Sequence, residues 1–406
     1  MNKSTILHIS DIQFGRLCAA QPERQDDPSS IVDHPLFQSF FDEVRTLWDS
    51  PDVIVASGDI TSTGSPYEFL QARAFLQSLS KNWGDETKVI WVPGNHDVSW
   101  DISRIGRPDH KHYSPIRFAP YYFFTSSCRE AGLRLLSDDL LGSNTAGLLL
   151  STMLDSSNQI VMVGLNSALD DDYDALPHAG YIHDQQAEKV KSLLSNPKLD
   201  GWLKVVVLHH HVVSMKDPPP HKDFSEARNA QVLFDAIDCA RVDLVLHGHR
   251  HYPYYVPWTS RSGWLCHLFC AGSLATVDTE RNGFAPLQAH LLTAIDRDSS
   301  GSVYGKVESI EGKGSDRFWK WRTGGEHSGV VRFGRVCPPA KVAGEVLSAI
   351  GTSPERLVGK MVLRNKALWA IGEDVLIGEV SRHLEGIGYV LVDTKEDIER
   401  WRAFRR

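Results

Sequence analysis

The 406-residue chain predicts a layered α/β domain followed by a small C-terminal module, and three observations carry that expectation. Short apolar segments rich in β-branched residues recur along the first two thirds, as do strands of a sheet covered on both faces. Amphipathic helical patterns lie between them, which is the alternation of an α/β layer. The charge balance also changes sign along the chain. Before Lys313 there are 26 Lys plus Arg against 39 Asp plus Glu, net −13, and from Lys313 onward 17 against 12, net +5. A chain of this length exceeds what one growing core supports, so a second unit is expected.

Strands are predicted at Thr5–Ser10, Val53–Ser57, Val89–Val92, Ile160–Leu165, Lys204–Leu208, Leu244–Leu246 and Leu265–Cys270. Helices are predicted in "HPLFQSFFDEVRTLW" from His34, "EFLQARAFLQSLS" from Glu68 and "HDQQAEKVKSLLS" from His183, each with apolar residues at helical spacing. Ser99–Phe124 mixes Gly, Pro, His and aromatics with weak periodicity and reads as a long loop or cap. "KDPPPHKDFSEARN" from Lys216 is a second such segment, and "AHLLTAIDRDSSGSVYGKVESI" from Ala289 reads as a hairpin turning at "DSSGS". Residues 313–341 then form a linker or extended segment. A helix in "VAGEVLSAIG", a helical stretch around Glu373–Leu384 and a strand in "GYVLVD" make residues 342–406 a small α/β module of unassigned role.

Six Cys without a framework spacing read as reduced thiols, and the close pair Cys266 and Cys270 lacks the partners of a metal site. No run of 18 apolar residues occurs, and the N-terminus lacks a basic segment before an apolar one, so a cytoplasmic protein without a membrane span is expected.

Five polar clusters share one design, an apolar strand that ends in ligand-type residues. They are "SDIQ" (Asp11, Gln13), "SGDI" (Asp59), "VPGNHD" (Asn95, His96, Asp97), "VLHHHV" (His209 to His211) and "HGHRH" (His249, His251). In an open α/β sheet the carboxyl ends of strands converge on the edge where ligands bind. Carboxylates, an amide oxygen and imidazoles gathered there suit a divalent cation. Each cluster alone is most simply a turn or a satisfied core histidine; all five in this order, each after a strand, are not.

Read together, the clusters resemble the calcineurin-like metallophosphoesterases, over roughly residues 1–312 and including the later "CAGSLAT". Within that superfamily the texture is similar to the cyclic-nucleotide phosphodiesterase-like branch. The resemblance implies a four-layer fold, a two-sheet β-sandwich flanked by helices, with two divalent metal ions at the strand ends. Mn²⁺ is favoured, with Fe or Zn as alternatives. It implies that Asp59 bridges both ions, that Asp11, Gln13 and His251 serve the first, and that Asn95, His209 and His249 serve the second. His209 is preferred because it comes first after its strand, with His210 and His211 left as alternatives. His96 is implied as the catalytic residue facing the phosphate, with Asp97 beside it to orient its imidazole.

Gln13 stands where most members of that family have His. An amide oxygen is a weaker donor, so the first ion should be held less tightly. The "DIQ" resembles manganese-dependent pyrophosphatases of nucleotide diphosphate links; a one-metal enzyme and a degenerate scaffold are the other readings. The expected substrate is a phosphodiester or pyrophosphate of nucleotide type. Arg104, Arg107, His110, His112 and His221 are candidate phosphate contacts in the two long loops. The acidic catalytic portion offers no obvious track for a long polyanion. "ERWRAFRR" keeps a nuclease reading open, since Trp401 and Phe404 lie among Arg400, Arg402, Arg405 and Arg406; a terminal amphipathic helix is the plainer reading of it. A metal-binding scaffold with little turnover is a third reading, and a phosphomonoesterase or protein phosphatase a more distant one.

Overall fold

In a computed structural model of the protein, residues 3–22, 24, 26–84, 87–99, 115–131, 133, 151–169, 179–214, 226–276, 286–298, 300–315, 317–324, 329–335, 355–357, 381–392 and 402–405 are described. The chain divides into two compact units. The larger comprises Ser4–Leu292 and Ser309–Gly329, the smaller Met1–Lys3, Thr293–Glu308 and Val330–Arg406.

In chain order the elements are β1 (Ser4–Ile9), α1 (Pro35–Leu47), β2 (Val53–Ala56), α2 (Pro66–Lys81), β3 (Lys88–Trp91), α3 (Ala119–Glu130), β4 (Ser151–Asp155), β5 (Ile160–Gly164), α4 (Asp184–Leu194) and β6 (Leu203–Val207). They continue with α5 (Ala230–Ala240), β7 (Leu244–His247), β8 (Tyr254–Thr259), β9 (Leu265–Cys270), β10 (Leu287–Arg297), β11 (Val303–Ser315), β12 (Phe318–Arg322), β13 (Gly329–Phe333), β14 (Glu355–Leu357), β15 (Tyr389–Val392) and β16 (Arg402–Arg405).

Two sheets organise the larger unit. One runs β12-β11-β10-β1-β2-β3 and the other β4-β5-β6-β7-β9-β8. In the first, β1, β2 and β3 are parallel, and Ile9, Ala56 and Trp91 sit side by side at their carboxyl ends. In the second, β5, β6, β7 and β9 are parallel, with Gly164, Val207 and Leu246 in line. These strands are buried on both faces, which is why they read as unbroken apolar runs.

The outer face of the first sheet packs on α1, α2 and α3 through Phe37, Phe40, Phe75, Leu76 and Phe124. That of the second packs on α4 and α5 through Val190, Leu194, Leu233 and Ile237. The inner faces meet: Ser151 Oγ of β4 donates to the Trp91 carbonyl at 3.3 Å. His209 Nδ1, just past β6, lies 2.9 Å from the Ser57 carbonyl, just past β2. Helix, sheet, sheet, helix is the expected four-layer sandwich. All seven predicted strands and three predicted helices are present, with ends moved by one or two residues.

Several expectations need correction. The loop expected over Ser99–Phe124 contains the start of α3. Its aromatic-rich sequence has modest helix propensity, and packing decides: Tyr121 and Phe124 lie against Phe69 of α2, and Phe124 against Trp91 of β3. Helix α5 and strands β4, β8 and β12 were not anticipated. Part of the expected linker is ordered strand, since β12 pairs with β11 in register Lys313 to Lys320 and Gly314 to Trp319.

In the smaller unit β14, β16 and β15 form a three-stranded antiparallel sheet. The terminal "RAFR" is its central strand, not a helix. Pairing on both sides decides what a short pattern compatible with either period could not. The expected helix at "VAGEVLSAIG" lies outside the described residues. Among those described, no helix is long and apolar enough to cross a membrane.

Candidate metal centre

Because β1, β2 and β3 are parallel and in step, the segments following them leave the first sheet along one edge. Asp11 N donates to the Gly58 carbonyl at 3.1 Å, Gln13 N to Asp59 at 3.0 Å and Phe14 N to Ile60 at 2.9 Å, so the first two exits run together as a pair. From the other sheet, Gly248 N donates to the His209 carbonyl at 3.0 Å, joining the exits of β6 and β7. All five clusters therefore meet at one end of the sandwich.

The backbone there is held in an unfavourable conformation. Of eight described non-glycine residues with positive φ, five are expected ligands: Asp11 (52°), Gln13 (53°), Asp59 (48°), His249 (77°) and His251 (56°). Each such residue costs about 1–2 kcal/mol, and strain of this kind concentrates where function requires it. Two glycines allow the close approach. A Cβ on Gly94 would fall 2.2 Å from Asp59 Oδ1, and one on Gly248 1.8 Å from Ser10 Oγ and 2.5 Å from Asp11 Oδ2.

Asp59 lies at the middle. Its Oδ1 accepts from the His96 backbone N–H at 2.8 Å. Its Oδ2 accepts from Gln13 Nε2 at 3.3 Å and lies 3.1 Å from His209 Nε2. His209 Nε2 is in turn 3.0 Å from His249 Nδ1. One ligand atom from each of Asp59, His209 and His249 falls within 4.8 Å of the others, and all three residues are buried. On the other side His251 Nε2 is 3.1 Å from Asp11 Oδ1, and the His249 backbone N–H donates to Asp11 Oδ2 at 3.0 Å.

Donor atoms about 3 Å apart are the spacing of neighbouring ligands around one cation with bonds of about 2.1 Å. Gln13 Oε1 is buried with no hydrogen-bond partner, and Asp11 Oδ1 has none of proper geometry. Oxygens like these are costly to bury unless a cation takes them. The donor set fits divalent metal.

Charge follows the same pattern. Burial works against ionising Asp59, but His209 and His96 beside it hold its carboxyl well below the usual range. Burial alone would neutralise His209, yet Asp59 and then Asp11 push it up to about 9. A cation binding here takes the place of that proton.

Within the three-histidine run the contacts differ, although the His210 ring also lies 4.5 Å from that of His249. His209 reaches Asp59 and His249, whereas His210 Nδ1 lies 2.8 Å from Ser167 Oγ. The His211 ring is 6.3 Å from that of His249. Asn95 is fully buried in the short turn Asn95–Asp97, directly before His96.

The expected role of Asp97 needs correction. Its carboxylate does not touch the His96 ring. Oδ1 accepts from Thr61 N and Thr61 Oγ1 at 2.8 and 2.7 Å, and Oδ2 from Ile60 N and Gly94 N at 3.1 and 2.9 Å. Asp97 thus ties the turn bearing Asp59 to the turn bearing Asn95 and His96. Burial and the charge of Asp59 push its carboxyl up to about 7. The orienting contact on His96 comes from the Ser62 carbonyl, 3.0 Å from Nδ1.

Three hydroxyls escaped the sequence reading. Ser62 Oγ donates to the Gln13 carbonyl, while Ser273 Oγ and Thr276 Oγ1 donate to the Asp11 carbonyl at 2.8 and 2.6 Å. Together they hold Asp11 and Gln13 in their left-handed conformations. Ser273 and Thr276 belong to "CAGSLAT", a segment visible in the sequence, but nothing local says that its hydroxyls reach back some 260 residues. Arg104, Arg107, His110, His112 and His221 lie outside the described residues.

A family model described as calcineurin-like phosphoesterase matches residues 4–253. Similar solved structures include the purple acid phosphatase PPD1 of yellow lupin, 11% identical over 76% of this chain and 52% of that one, with a TM-score of 0.45. A dimetal phosphatase of Danio rerio is 14% identical over 75% and 95%, with a TM-score of 0.44. A putative 5'-nucleotidase of Staphylococcus aureus is 14% identical over 74% and 52%, with a TM-score of 0.39. The chain thus spans about half the length of the lupin enzyme. No curated protein sequence matches it.

Proposed function

The chain belongs to the calcineurin-like phosphoesterase family, metal-dependent hydrolases of phosphoesters, and from that premise we propose that it cleaves a phosphodiester or pyrophosphate bond in a small nucleotide-type substrate. The observation that carries the reading is the position of Asp59, whose carboxylate is approached by Gln13 from one donor set and by His209 from the other. A carboxylate so placed can be shared by two cations, one with Asp11, Gln13 and His251, the other with Asn95, His209 and His249. Two divalent ions of this kind, Mn²⁺ in our reading, supply Lewis acidity toward phosphoryl oxygens and make water acidic enough to attack at neutral pH.

The chain's own residues do the rest. With Nδ1 of His96 directed at the Ser62 carbonyl, that nitrogen carries the hydrogen and Nε2 is left to exchange a proton with substrate. His96 is only half-buried while Asp59 and Asn95 are fully buried, so in this reading the substrate approaches from the His96 side. In this reading His96 acts with a second proton on Nε2, which it hands to the departing oxygen as that bond to phosphorus breaks. Asp97, Ser62, Ser273 and Thr276 keep the strained turns in register, so their reorganisation is not charged to the reaction.

The test is Mn²⁺-dependent hydrolysis of a panel containing bis-(p-nitrophenyl) phosphate, p-nitrophenyl phosphate, cyclic nucleotides and ADP-ribose. Diester or pyrophosphate turnover is expected, reduced about 10²- to 10⁴-fold in His96→Ala, with a smaller loss on substrates whose leaving group needs no proton. Turnover of the monoester alone would refute the diester reading.

A further inference from the structure

The hairpin of β11 and β12 carries a surface with no part in the metal centre. From Lys313 to Arg322 the chain has four cations, Lys313, Arg317, Lys320 and Arg322, and one acid. Strand β12 is the edge of its sheet along Glu311–Ser315 of β11. Its inner face is anchored: Trp321 packs 4.9 Å from Phe40 of α1, ring to ring, and Trp319 leans on the same core. The outer face is left to solvent, where Phe318 is 81% exposed and Lys320 and Arg322 are exposed beside it.

Three features of this face are hard to account for by folding alone. A phenylalanine this exposed on an ordered strand forgoes the stabilisation that burying its ring would bring. Lys313 and Lys320 stand directly opposite each other across the two strands, an arrangement of like charges that weakens a sheet. Glu311, directly opposite Arg322 across the strands and 4.0 Å from Lys313, is the one acid beside Lys313, Lys320 and Arg322 among the described residues of the two strands, and none stands opposite Lys320. Lys313, Gly314, Phe318, Trp319, Lys320 and Arg322 line a groove of about 540 Å³.

We propose that this hairpin face binds single-stranded nucleic acid, its phosphates held by Lys313, Lys320 and Arg322 and a base stacked on Phe318. The like-charged pair gains a counter-ion, and the exposed ring gains a planar apolar partner. Lys320 and Arg322, two residues apart on one strand, are about 6.7 Å apart along it, comparable with the step between successive phosphates of an extended strand. Aromatic stacking combined with a cationic track is how proteins hold single strands without reading their sequence. A lipid surface is less well served, because one ring among four cations gives little area to bury. The proposal does not depend on which bond the metal centre cleaves.

The experiment is fluorescence anisotropy of fluorescein-labelled dT20 titrated with the full-length, metal-loaded chain, with the oligonucleotide shown to be intact on a gel afterwards. Binding is expected to weaken roughly 20-fold between 50 and 200 mM salt, as three phosphate contacts on a single strand require. Phe318→Ala should weaken it about 5- to 100-fold, and Lys313→Glu/Lys320→Glu should lower both the affinity and the salt slope. Phe318 is so exposed that its loss leaves the fold and small-substrate turnover unchanged, and both serve as controls. Absence of binding at 50 mM salt would overturn the proposal. So would equal affinity for a duplex of the same length, an unaltered affinity in Phe318→Ala, or tighter capture by phosphatidylserine vesicles than by dT20.

Discussion

Around Asp59, the donor set proposed for one cation, Asn95, His209 and His249, differs from the set proposed for the other, Asp11, Gln13 and His251, in what its donors are and in what holds them. The first draws its imidazoles from the exits of β6 and β7, joined backbone to backbone, with His209 Nδ1 against the Ser57 carbonyl. The second rests on Asp11 and Gln13, both at positive φ, and three hydroxyls brace their carbonyls. One of its donors is a neutral amide. Under the proposed sharing of Asp59, the comparison teaches that two cations on one carboxylate need not be held alike: the half containing Gln13 depends on more strain and has the weaker donor, so it should be the exchangeable one.

Breaking the shared point has the largest effect. Asp59→Asn removes the charge both halves use and leaves His209 without the partner that raises it, so hydrolysis of bis-(p-nitrophenyl) phosphate should fall roughly 1000-fold or more. Stoichiometry by calorimetry should drop below two ions per chain. Retention of two tightly held ions would show that Asp59 is not shared. Gln13→His sharpens the comparison from the opposite side. An imidazole there should tighten the weaker ion about 10- to 100-fold, read by chelator competition, and bring the two affinities together. If neither affinity moves, the amide does not reach a cation.

The smallest effect tests the bracing. Ser273→Ala/Thr276→Val leaves the buried Asp11 carbonyl short of two donors, at a cost of about 1–3 kcal/mol. The weaker ion should then bind about tenfold less tightly while the ion on the His209 side is unaffected. A lower thermal midpoint with both affinities intact would mean that these hydroxyls serve only the fold.

Much of the architecture was legible because burial leaves a one-dimensional trace. Parallel strands covered on both faces must be apolar throughout, so "TILHI", "VIVA" and "VVVL" announce themselves, and α1, α2 and α4 carry the apolar stripe of a helix against a sheet. Helix α3 leaves no such trace, since Tyr121 and Phe124 become helical through contact with Phe69 and Trp91 rather than through local preference. Strand β12 was hidden for a related reason. "FWKWR" follows a Gly-rich turn and a change in net charge, which look like a linker until its partner Glu311–Ser315 is seen beside it.

By itself the sequence determined the chemistry available: which strands end in Asp, Asn, Gln or His, and that those types suit a divalent cation. Such information is local, because a residue's donor atoms and its place after a strand do not depend on distant partners. Only the tertiary structure decided the contacts. It turned His209 rather than His210 toward Asp59, gave Asp97 to the backbone of Thr61, Ile60 and Gly94, and brought Ser273 and Thr276 to the Asp11 carbonyl. Each of those outcomes rests on a contact between segments separated by tens to hundreds of residues. No pattern of neighbours along the chain can encode which of three adjacent buried imidazoles will reach Asp59 once two sheets close on each other.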